Sequence, residues 1–510
     1  MASRNHEVDI ARFFHEVTKH SYTSVRSDGH MLDWENRPLA YKIYPQAGAI
    51  ALPRDLELSA RPALATIAGG EPLLEDGELT ARVLARLLFC AGGLTRSRRI
   101  GDETYHFRAA ASAGALYPIE IYLAAGQVEG VQPGLYHFSP ADLKLRGLRT
   151  GDQRGALARA CDGRSSVAQA RAVVVLSSIY WRSTWKYRAR AYRYCFWDAG
   201  MIAANLLAAT AAEGLQVEVV TLFVDSELEA LLGVDGITED VVCLITLGRT
   251  PATTEQATTK PDKLELETVP LSRDSRAYED LARIQAASRL DDVGELSQIM
   301  EQATAVELSS QSSGTTGDAS SLINLPALDS ASLSLGDTIL RRGSSRHFTH
   351  AAILTSELAA ILDASGAPIS CDVPPMVHTY LIINAVEGLE SGAFYYDQRR
   401  HALERLRAGD LRAEAGYLCL EQPLGADCAA LIVYMASLEA ALSLLGNRAY
   451  RTVHLEAGIR GGRAYLAAYS LGRGATGLTF YDDDTTALFS PHGADMSPLL
   501  MVAIGVPRRS

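Results

Sequence analysis

The tripeptide Asp198-Ala199-Gly200 recurs later in the chain as Glu456-Ala457-Gly458, and Val128-Glu129-Gly130 recurs at the same spacing as Val386-Glu387-Gly388. The other pairs that keep this spacing are Gly134 and Gly392, Leu145 and Leu403, Leu148 and Leu406, Arg149 and Arg407, Gly151 and Gly409, Asp152 and Asp410, Arg154 and Arg412, Arg193 and Arg451, and Asp225 and Asp483. One spacing held over so many pairs indicates an internal repeat. We therefore predict that the chain is a tandem of two copies of one α+β unit.

Changes in composition divide the chain into four parts. Residues 1–60 are rich in aromatic residues and broken by prolines, which predicts a short helix followed by an irregular N-terminal arm. Residues 61–250 and 333–510 hold the two repeat units. Between them, residues 251–332 begin Thr-rich and end rich in Ser, Thr, Gly and Asp. Helical periodicity between Tyr278 and Met300 then predicts a linker around one helix.

The bulk composition excludes several classes of protein. The chain has 510 residues, 47% of them hydrophobic and 21% charged, which is typical of soluble multidomain proteins. Its net charge of -12 argues against nucleic-acid and anionic-membrane partners. The first fifteen residues lack the apolar core of a secretory signal. The most apolar long run, Ala429 to Leu445, carries Glu439 and is therefore a poor membrane span.

The cysteines and histidines indicate no metal and no disulfide framework. Seven cysteines are scattered without a CxxC pair, so we expect reduced thiols in a cytoplasmic protein. The histidines form no HxH or HxxxH pair, so no metal site is predicted.

A run of small residues in the first copy predicts a loop on which a flat ligand could lie. Ser112-Ala113-Gly114-Ala115-Leu116-Tyr117-Pro118 has little side-chain bulk at its start, so a ligand could contact backbone N–H groups there. Pro118 prevents a helix, and the alternation that follows predicts a strand. An ordinary helix-to-strand turn is the alternative.

A basic run in the second copy predicts an anion site. Arg341-Arg342-Gly343-Ser344-Ser345-Arg346-His347-Phe348 places two guanidinium groups and a hydroxyl, those of Arg342, Ser344 and Arg346, within one turn. These groups can neutralise and hydrogen-bond a phosphate. The alternative is a solvated, charged helix cap.

Each copy has lost the motif that the other keeps. The counterpart of the basic run, Thr66 to Leu73, has no arginine and carries Glu71, which should repel a phosphate. The counterpart of the small-residue loop, Ser370 to Met376, is an acidic turn with two prolines. The two losses are complementary.

These motifs resemble those of the SagB-type dehydrogenases, a branch of the nitroreductase-like FMN flavoproteins. The resemblance rests on Ser112 to Pro118, on the stretch from Trp181 to Tyr194 and on the R-x-S-x-R spelling at Arg342 to Arg346. Members of that family are normally homodimers with flavin at the subunit interface. The resemblance therefore implies an intramolecular pseudo-dimer of two nitroreductase-like domains holding one FMN; further homodimerisation stays open.

The resemblance also assigns residues to the cofactor. It places the flavin ring against the first copy and the phosphate on the second. The implied ring contacts are Ser112, Ala113, Gly114, Ala115 and Leu116, and the implied phosphate contacts are Arg342, Ser344 and Arg346. Thr479 is a further candidate at the ring edge, and Arg463 is predicted to face either the phosphate or the surface.

A Lys-Tyr pair in the first copy is the implied catalytic apparatus. In the resembling enzymes such a pair, here Lys186 and Tyr187, is assigned to substrate deprotonation. A lysine packed among aromatic and cationic side chains has a lowered pKa and suits a base. The implied substrate contacts are Tyr117, Trp181, Arg190 and Tyr194. The alternative is a cationic aromatic helix that only lines the domain interface.

Three functions follow. The first is an FMN-dependent dehydrogenase acting on a peptide-derived or carrier-bound substrate, such as an azoline ring, in natural-product biosynthesis. The second is an NAD(P)H-dependent nitro- or quinone reductase of the same fold. The third is a non-catalytic peptide-binding partner that holds no flavin.

Overall fold

Each half of the chain folds around a seven-stranded antiparallel sheet. The computed structural model describes residues 4–27, 29–69, 77–101, 103–251, 253–310, 322–327 and 332–508. The strands of the first half are β1 (Ala49–Ala51), β2 (Leu94–Ile100), β3 (Glu103–Arg108), β4 (Ile119–Ala125), β5 (Gly134–Ser139), β6 (Lys144–Thr150), β7 (Ala170–Ile179), β8 (Val219–Val220) and β9 (Glu239–Arg249). Those of the second half are β10 (Leu322–Asn324), β11 (Ile353–Leu354), β12 (His378–Ile383), β13 (Val386–Glu387), β14 (Gly392–Asp397), β15 (Ala402–Ala408), β16 (Ala430–Ala436), β17 (Gly474–Leu478) and β18 (Ser497–Gly505).

The helices follow the same duplication. Those of the arm and the first half are α1 (Asp9–Val17), α2 (Tyr22–Ser27), α3 (Ala63–Ile67), α4 (Ala81–Gly92), α5 (Arg154–Ala160), α6 (Ser165–Ala168), α7 (Tyr180–Tyr187), α8 (Ala191–Glu213) and α9 (Asp225–Leu232). The connection carries α10 (Glu279–Ala287) and α11 (Val293–Ser310). The second half has α12 (Leu335–Arg341), α13 (Thr355–Gly366), α14 (Arg412–Leu418), α15 (Pro423–Asp427), α16 (Leu438–Leu445), α17 (Arg448–Ser470) and α18 (Asp482–Leu488).

The two sheets have one topology. Their strand orders are β1-β6-β5-β4-β7-β9-β8 and β10-β15-β14-β12-β16-β18-β17. The hairpin β2–β3 belongs to the first half alone, and the short pair β11–β13 to the second. The predicted tandem of two α+β units is confirmed.

Each half begins earlier than the sequence predicts. β1 lies within the predicted arm and pairs with β6, Ala49 opposite Arg146. β10 lies within the predicted linker and makes the equivalent pairing with β15, Leu322 opposite Glu404. Three-residue strands carry no readable alternation, so boundaries placed at 61 and 333 leave out the edge strand of each sheet.

The two long helices α8 and α17 pack across one another at the centre of the molecule. Gly200 of α8 faces Gly458 of α17, and a methyl group on Gly200 would lie 2.5 Å from the carbonyl carbon of Gly458. These glycines are repeat counterparts, so the contact lies on the pseudo-twofold axis. The halves therefore associate as a dimer fused into one chain, as predicted.

The arm and the connection hold more helix than the sequence predicts. In the arm, Phe14 of α1 packs edge-on against Tyr192 of α8 and Tyr450 of α17, with ring centroids 5.5 and 5.6 Å away. The arm thus covers the junction of the halves. In the connection two helices replace the single one expected, because Asp292 accepts the Glu295 N–H at 2.9 Å and begins α11 anew.

The stretch Tyr180–Glu213, containing α7 and α8, would be long and apolar enough to cross a membrane, but 94% of its apolar window is buried inside the fold. It is the core helix of the first half. The predicted cytoplasmic location stays a prediction.

Two buried carboxylates lock the halves together in symmetric fashion. Asp482 accepts hydrogen bonds from Arg190 at 2.9 Å and from Arg193 at 2.7 Å. At the equivalent place on the other side of the pseudo-twofold axis, Asp225 accepts hydrogen bonds from Arg448 and Arg451, the repeat counterparts of those arginines. The spacing of the repeat pairs Asp225 with Asp483, but the structure gives the matching role to Asp482.

We expect Asp482→Asn to lower the free energy of unfolding by about 3–5 kcal/mol, because it leaves two buried guanidinium groups uncompensated. The matched control is Asp483→Asn, whose side chain is 77% exposed and paired with Lys19; its effect should stay under about 1 kcal/mol. Denaturant unfolding measures both. Equal effects of the two substitutions would contradict the assignment.

Candidate active site

The small-residue loop of the first half is held from behind by a buried carboxylate. Ser112 Oγ donates to Asp198 Oδ2 at 2.5 Å, and the N–H of Ala113 donates to Oδ1 at 2.9 Å. The N–H of Tyr117 then donates to Ser112 Oγ at 2.9 Å. Asp198, on the central helix α8, thereby fixes the path of the loop between β3 and β4. Burial raises the pKa of Asp198 to about 7.

The Lys-Tyr pair lies directly over this loop. Lys186 and Tyr187 are the last two residues of α7. A methyl group on Gly114 would lie 2.6 Å from the Tyr187 hydroxyl oxygen and 3.3 Å from Lys186 Nζ. Gly114 also has φ of +63°, a backbone conformation that favours glycine. The two motifs of the first half thus meet at Gly114.

The environment of the pair sets its protonation. Burial and the nearby charges of Arg346 and Arg37 lower the pKa of Lys186, the direction expected for a base. Burial raises the pKa of Tyr187, so its hydroxyl stays protonated at neutral pH. The Tyr187 ring packs edge-on against Tyr194, with centroids 4.9 Å apart.

The basic run of the second half reaches the same place. Arg342 is buried, and its guanidinium donates to the carbonyls of Ala109 at 2.8 Å and Arg108 at 2.7 Å, just ahead of the loop. Arg342 therefore joins the halves, and most of its donors are used by backbone. Ser344 is exposed and lies near enough to Tyr465 to influence the pKa of its hydroxyl.

Four cations surround the mouth of the site. Arg346 is exposed and lies close enough to Lys186 to influence its pKa. Arg96 of β2 lies over Gly343, the residue after Arg342: its Nη2 is 3.6 Å from the position that a methyl group on Gly343 would take. We call Arg37, Arg96, Lys186 and Arg346 the basic group. Arg37 and Arg96 lie outside the motifs that the resemblance assigns to the cofactor.

Two of the predicted substrate contacts, Tyr117 and Trp181, have partners inside the protein. Tyr117 is buried; its hydroxyl oxygen accepts the Arg108 N–H at 3.2 Å, and the Arg108 guanidinium lies 4.9 Å from its ring centroid. Trp181 donates from Nε1 to Ser272 Oγ at 2.8 Å. Tyr117 therefore supports the loop from within, and Trp181 binds the segment between the halves.

The other two also have internal partners. Arg190 is buried in the ion pair with Asp482. The Tyr194 hydroxyl lies 3.1 Å from Thr479 Oγ1, which places Thr479 at the end of a hydrogen-bonded path behind Tyr187. Contact of Tyr117, Trp181, Arg190 and Tyr194 with a substrate stays a prediction.

Arg463 faces neither of the places predicted for it. Its guanidinium is buried and donates to the carbonyls of Ala367 and Pro368. Its repeat counterpart Asn205 makes the matching bond to Ala109 at 3.0 Å. Arg463 is a structural residue of the second half and does not reach the basic group.

On the other side of the pseudo-twofold axis, the counterpart of the small-residue loop is hydrogen-bonded to the first half. The loop of the second half bridges directly to the first half, since the Val219 N–H donates to the Ser370 carbonyl at 2.8 Å. Asp372 then accepts from the N–H groups of Thr221 at 2.8 Å and Leu222 at 2.7 Å. In the first site Gly477, the counterpart of Val219, donates to the Tyr465 hydroxyl instead. Glu71 lies outside the described residues.

The surviving site suits a flat ligand with an anionic tail. Gly114 and Ala115 offer backbone without bulk, the Leu116 side chain is buried, and the basic group lies to one side. Such an arrangement can hold FMN, with Ser344 and Arg346 able to bind phosphate oxygens.

Comparison with known proteins identifies the family of the chain. The nitroreductase family model matches residues 73–249 and 339–506. The chain belongs to the nitroreductase family. Family homologues indicate an oxidoreductase.

Named relatives add detail to the family assignment. A Methanocaldococcus jannaschii protein described as a nitroreductase is 32% identical over 154 residues, which is 30% of this chain and 74% of that protein. A crystal structure described as a nitroreductase from Anabaena variabilis overlays with a TM-score of 0.77 at 25% identity, covering 98% of this chain and 99% of that one. The E. coli microcin synthetase McbBCD complex gives a TM-score of only 0.31 at 19% identity, over 48% of this chain and 93% of the matched one.

We expect stability to depend on Asp198 with a defined sign. Because its folded-state pKa of about 7 exceeds the unfolded value of 3.8, the stability it contributes is present at low pH and is lost as pH rises through about 7. The melting temperature of the wild type should therefore fall from pH 5 to pH 8 relative to that of Asp198→Asn. Asp9→Asn, whose side chain is 93% exposed, is the control. Parallel curves for all three proteins would contradict the prediction.

Proposed function

We propose that the protein is an FMN-dependent oxidoreductase of the SagB type that oxidises a peptide-derived or carrier-bound substrate, such as an azoline ring, in natural-product biosynthesis. The observation that carries the proposal is the meeting of three motifs from different parts of the chain. Lys186 and Tyr187 lie over Gly114, and Arg346 of the other half is close enough to influence the pKa of both.

One FMN per chain is part of the proposal. The ring would lie on the backbone of Ser112 to Leu116, and the phosphate would be bound by Ser344, Arg346 and Arg96. Arg342 would act through the backbone of Arg108 and Ala109, which it holds. The binding of the Asp372 loop to the first half supports a single site.

Titration with FMN tests the cofactor assignment. We expect a yellow protein with one FMN per chain, and we expect Arg346→Ala to weaken FMN binding about tenfold or more through loss of a charge-assisted hydrogen bond. Riboflavin, which lacks the phosphate, is the matched control, because its affinity should be the same for both proteins. Two FMN per chain, or equal losses for both ligands, would contradict the assignment.

The residues of the chain suit removal of a proton next to a heteroatom. When bound, FMN supplies an acceptor for the hydride that leaves the substrate carbon. Lys186, whose pKa is lowered, would take the proton from the neighbouring carbon. Tyr187, held protonated, would orient the Lys186 amine or the substrate by hydrogen bonding. The Tyr194–Thr479 pair behind it keeps its ring in place.

Lys186→Met tests the base. With a thiazoline-containing peptide as substrate, we expect kcat/KM to fall by about 10²–10⁴-fold and the basic limb of the pH profile to disappear. FMN content should be unchanged, which separates loss of chemistry from loss of cofactor. Unaltered turnover by this variant would contradict the role of Lys186.

The nitro- or quinone reductase alternative is favoured by the descriptions of the two named relatives. It predicts fast NAD(P)H oxidation with quinone, unaffected by Lys186→Met. The non-catalytic alternative predicts a colourless protein that FMN does not reconstitute. The same spectra and assays therefore separate all three functions.

A further inference from the structure

A cavity of about 640 Å³ lies in the second half of the molecule, away from the basic group. Its walls come from β12, β14 and α17 of the second half, with Val219 and Thr221 contributed by the first half. A volume of this size is within the range of small-molecule sites. None of the residues assigned above to the flavin or to catalysis lines it.

The cavity exists because large side chains of the first half have been replaced. At its pseudo-equivalent position the first half holds a space of only about 10 Å³, lined by Arg108, Tyr117 and Ile202. The repeat counterpart of Tyr117 is Pro375, and that of Ile202 is Arg460. Gly366 follows the same spacing from Arg108. An arginine and a tyrosine have thus been replaced by smaller residues, and Arg460 places a guanidinium where the first half has an isoleucine.

The guanidinium of Arg460 has unused donors. Arg460 is 4% exposed; its Nε donates to Glu456 Oε1 at 2.8 Å and its Nη1 to Gln398 Oε1 at 3.3 Å. Its Nη2 makes no hydrogen bond to any residue that the structure describes. Both oxygens of Glu456 are occupied, since Oε2 accepts the Met376 N–H at 2.8 Å. A buried guanidinium that lines a cavity and keeps free N–H groups is a site for an anion.

The remaining walls are mixed: Tyr395, Tyr396 and the carboxylate of Asp397 line one part of the cavity, and aliphatic side chains line another. Ile369, Val373, Pro374, Leu455 and Ile459 line the cavity. Thr379, 5% exposed, adds a hydroxyl that makes no hydrogen bond within the described part of the chain. At the mouth, Arg399 adds a second positive charge.

We propose that this cavity is a second ligand site, which takes a small organic molecule with an apolar ring-sized body and one carboxylate group bound by Arg460. It is not a second flavin site, because the ring-binding loop here is hydrogen-bonded to the opposite half. The proposal stands whether or not the proposed function is correct.

Calorimetric titration of the full chain, saturated with FMN, tests this site. The probes are 2-naphthoate and its neutral analogue 2-naphthamide. We expect naphthoate to bind at one molecule per chain and more tightly than the amide. Arg460→Met should weaken naphthoate binding at least tenfold and change amide binding by less than threefold.

A second variant keeps the test decisive if Arg460→Met does not fold. Pro375→Trp places a bulky ring at the exposed mouth and should weaken the binding of both probes. The proposal is overturned if the wild type binds neither probe at millimolar concentration, if FMN competes with naphthoate, or if Pro375→Trp leaves both affinities unchanged. It is equally overturned if a folded Arg460→Met protein keeps the wild-type preference for the carboxylate.

Discussion

The contact between Gly200 and Gly458 is the constraint on which the rest of the structure depends. The two helices approach so closely there that a Cβ on either glycine would overlap the backbone of the other helix. Alanine is the better helix former at an exposed position, but overpacking at this crossing would outweigh that gain. The candidate active site lies between the halves, so its geometry depends on the distance between these two helices. Asp198 and Arg193, which binds Asp482, are both on the central helix α8, and Arg190 directly precedes that helix.

The buried ion pairs around the axis have a related role. Asp225 and Asp482 each bind two arginines from the opposite half. Such pairs add little net stability relative to a well-packed apolar interface, but a mispaired arrangement would leave buried charge uncompensated. They therefore favour one relative placement of the halves. That placement puts Arg346 beside Lys186.

The sequence predicted the fold well because the repeat is a global signal. A single spacing identified two copies, and the resemblance of short motifs indicated where they join. Lys186 and Gly114, far apart in sequence, were both singled out from local patterns and meet in the structure. Short edge strands such as Ala49–Ala51 left no pattern and were missed.

The direction of individual side chains was the part that sequence could not supply. Arg342 and Arg346 are two residues apart with the same chemistry, but one binds backbone carbonyls and the other is exposed. Arg463 was predicted to face the phosphate or the surface. It is instead buried and donates hydrogen bonds to backbone carbonyls, as its repeat counterpart Asn205 does. Which way a guanidinium points depends on which carbonyls lack partners nearby, and that is settled only by the packed tertiary structure.

Fusion of the two copies explains why the two sites could diverge. In a homodimer each substitution appears in both sites, so an acidic residue in the phosphate motif would disable both. In a single chain the same substitution affects one site only. Asp372 could then bind one loop to the opposite half while Asp198 holds the other loop within its own half. In the same way, the loss of bulk at Gly366 and Pro375 could open a cavity without disturbing Arg108 and Tyr117. The asymmetry of this protein is thus a consequence of covalent linkage between halves whose packing stays symmetric.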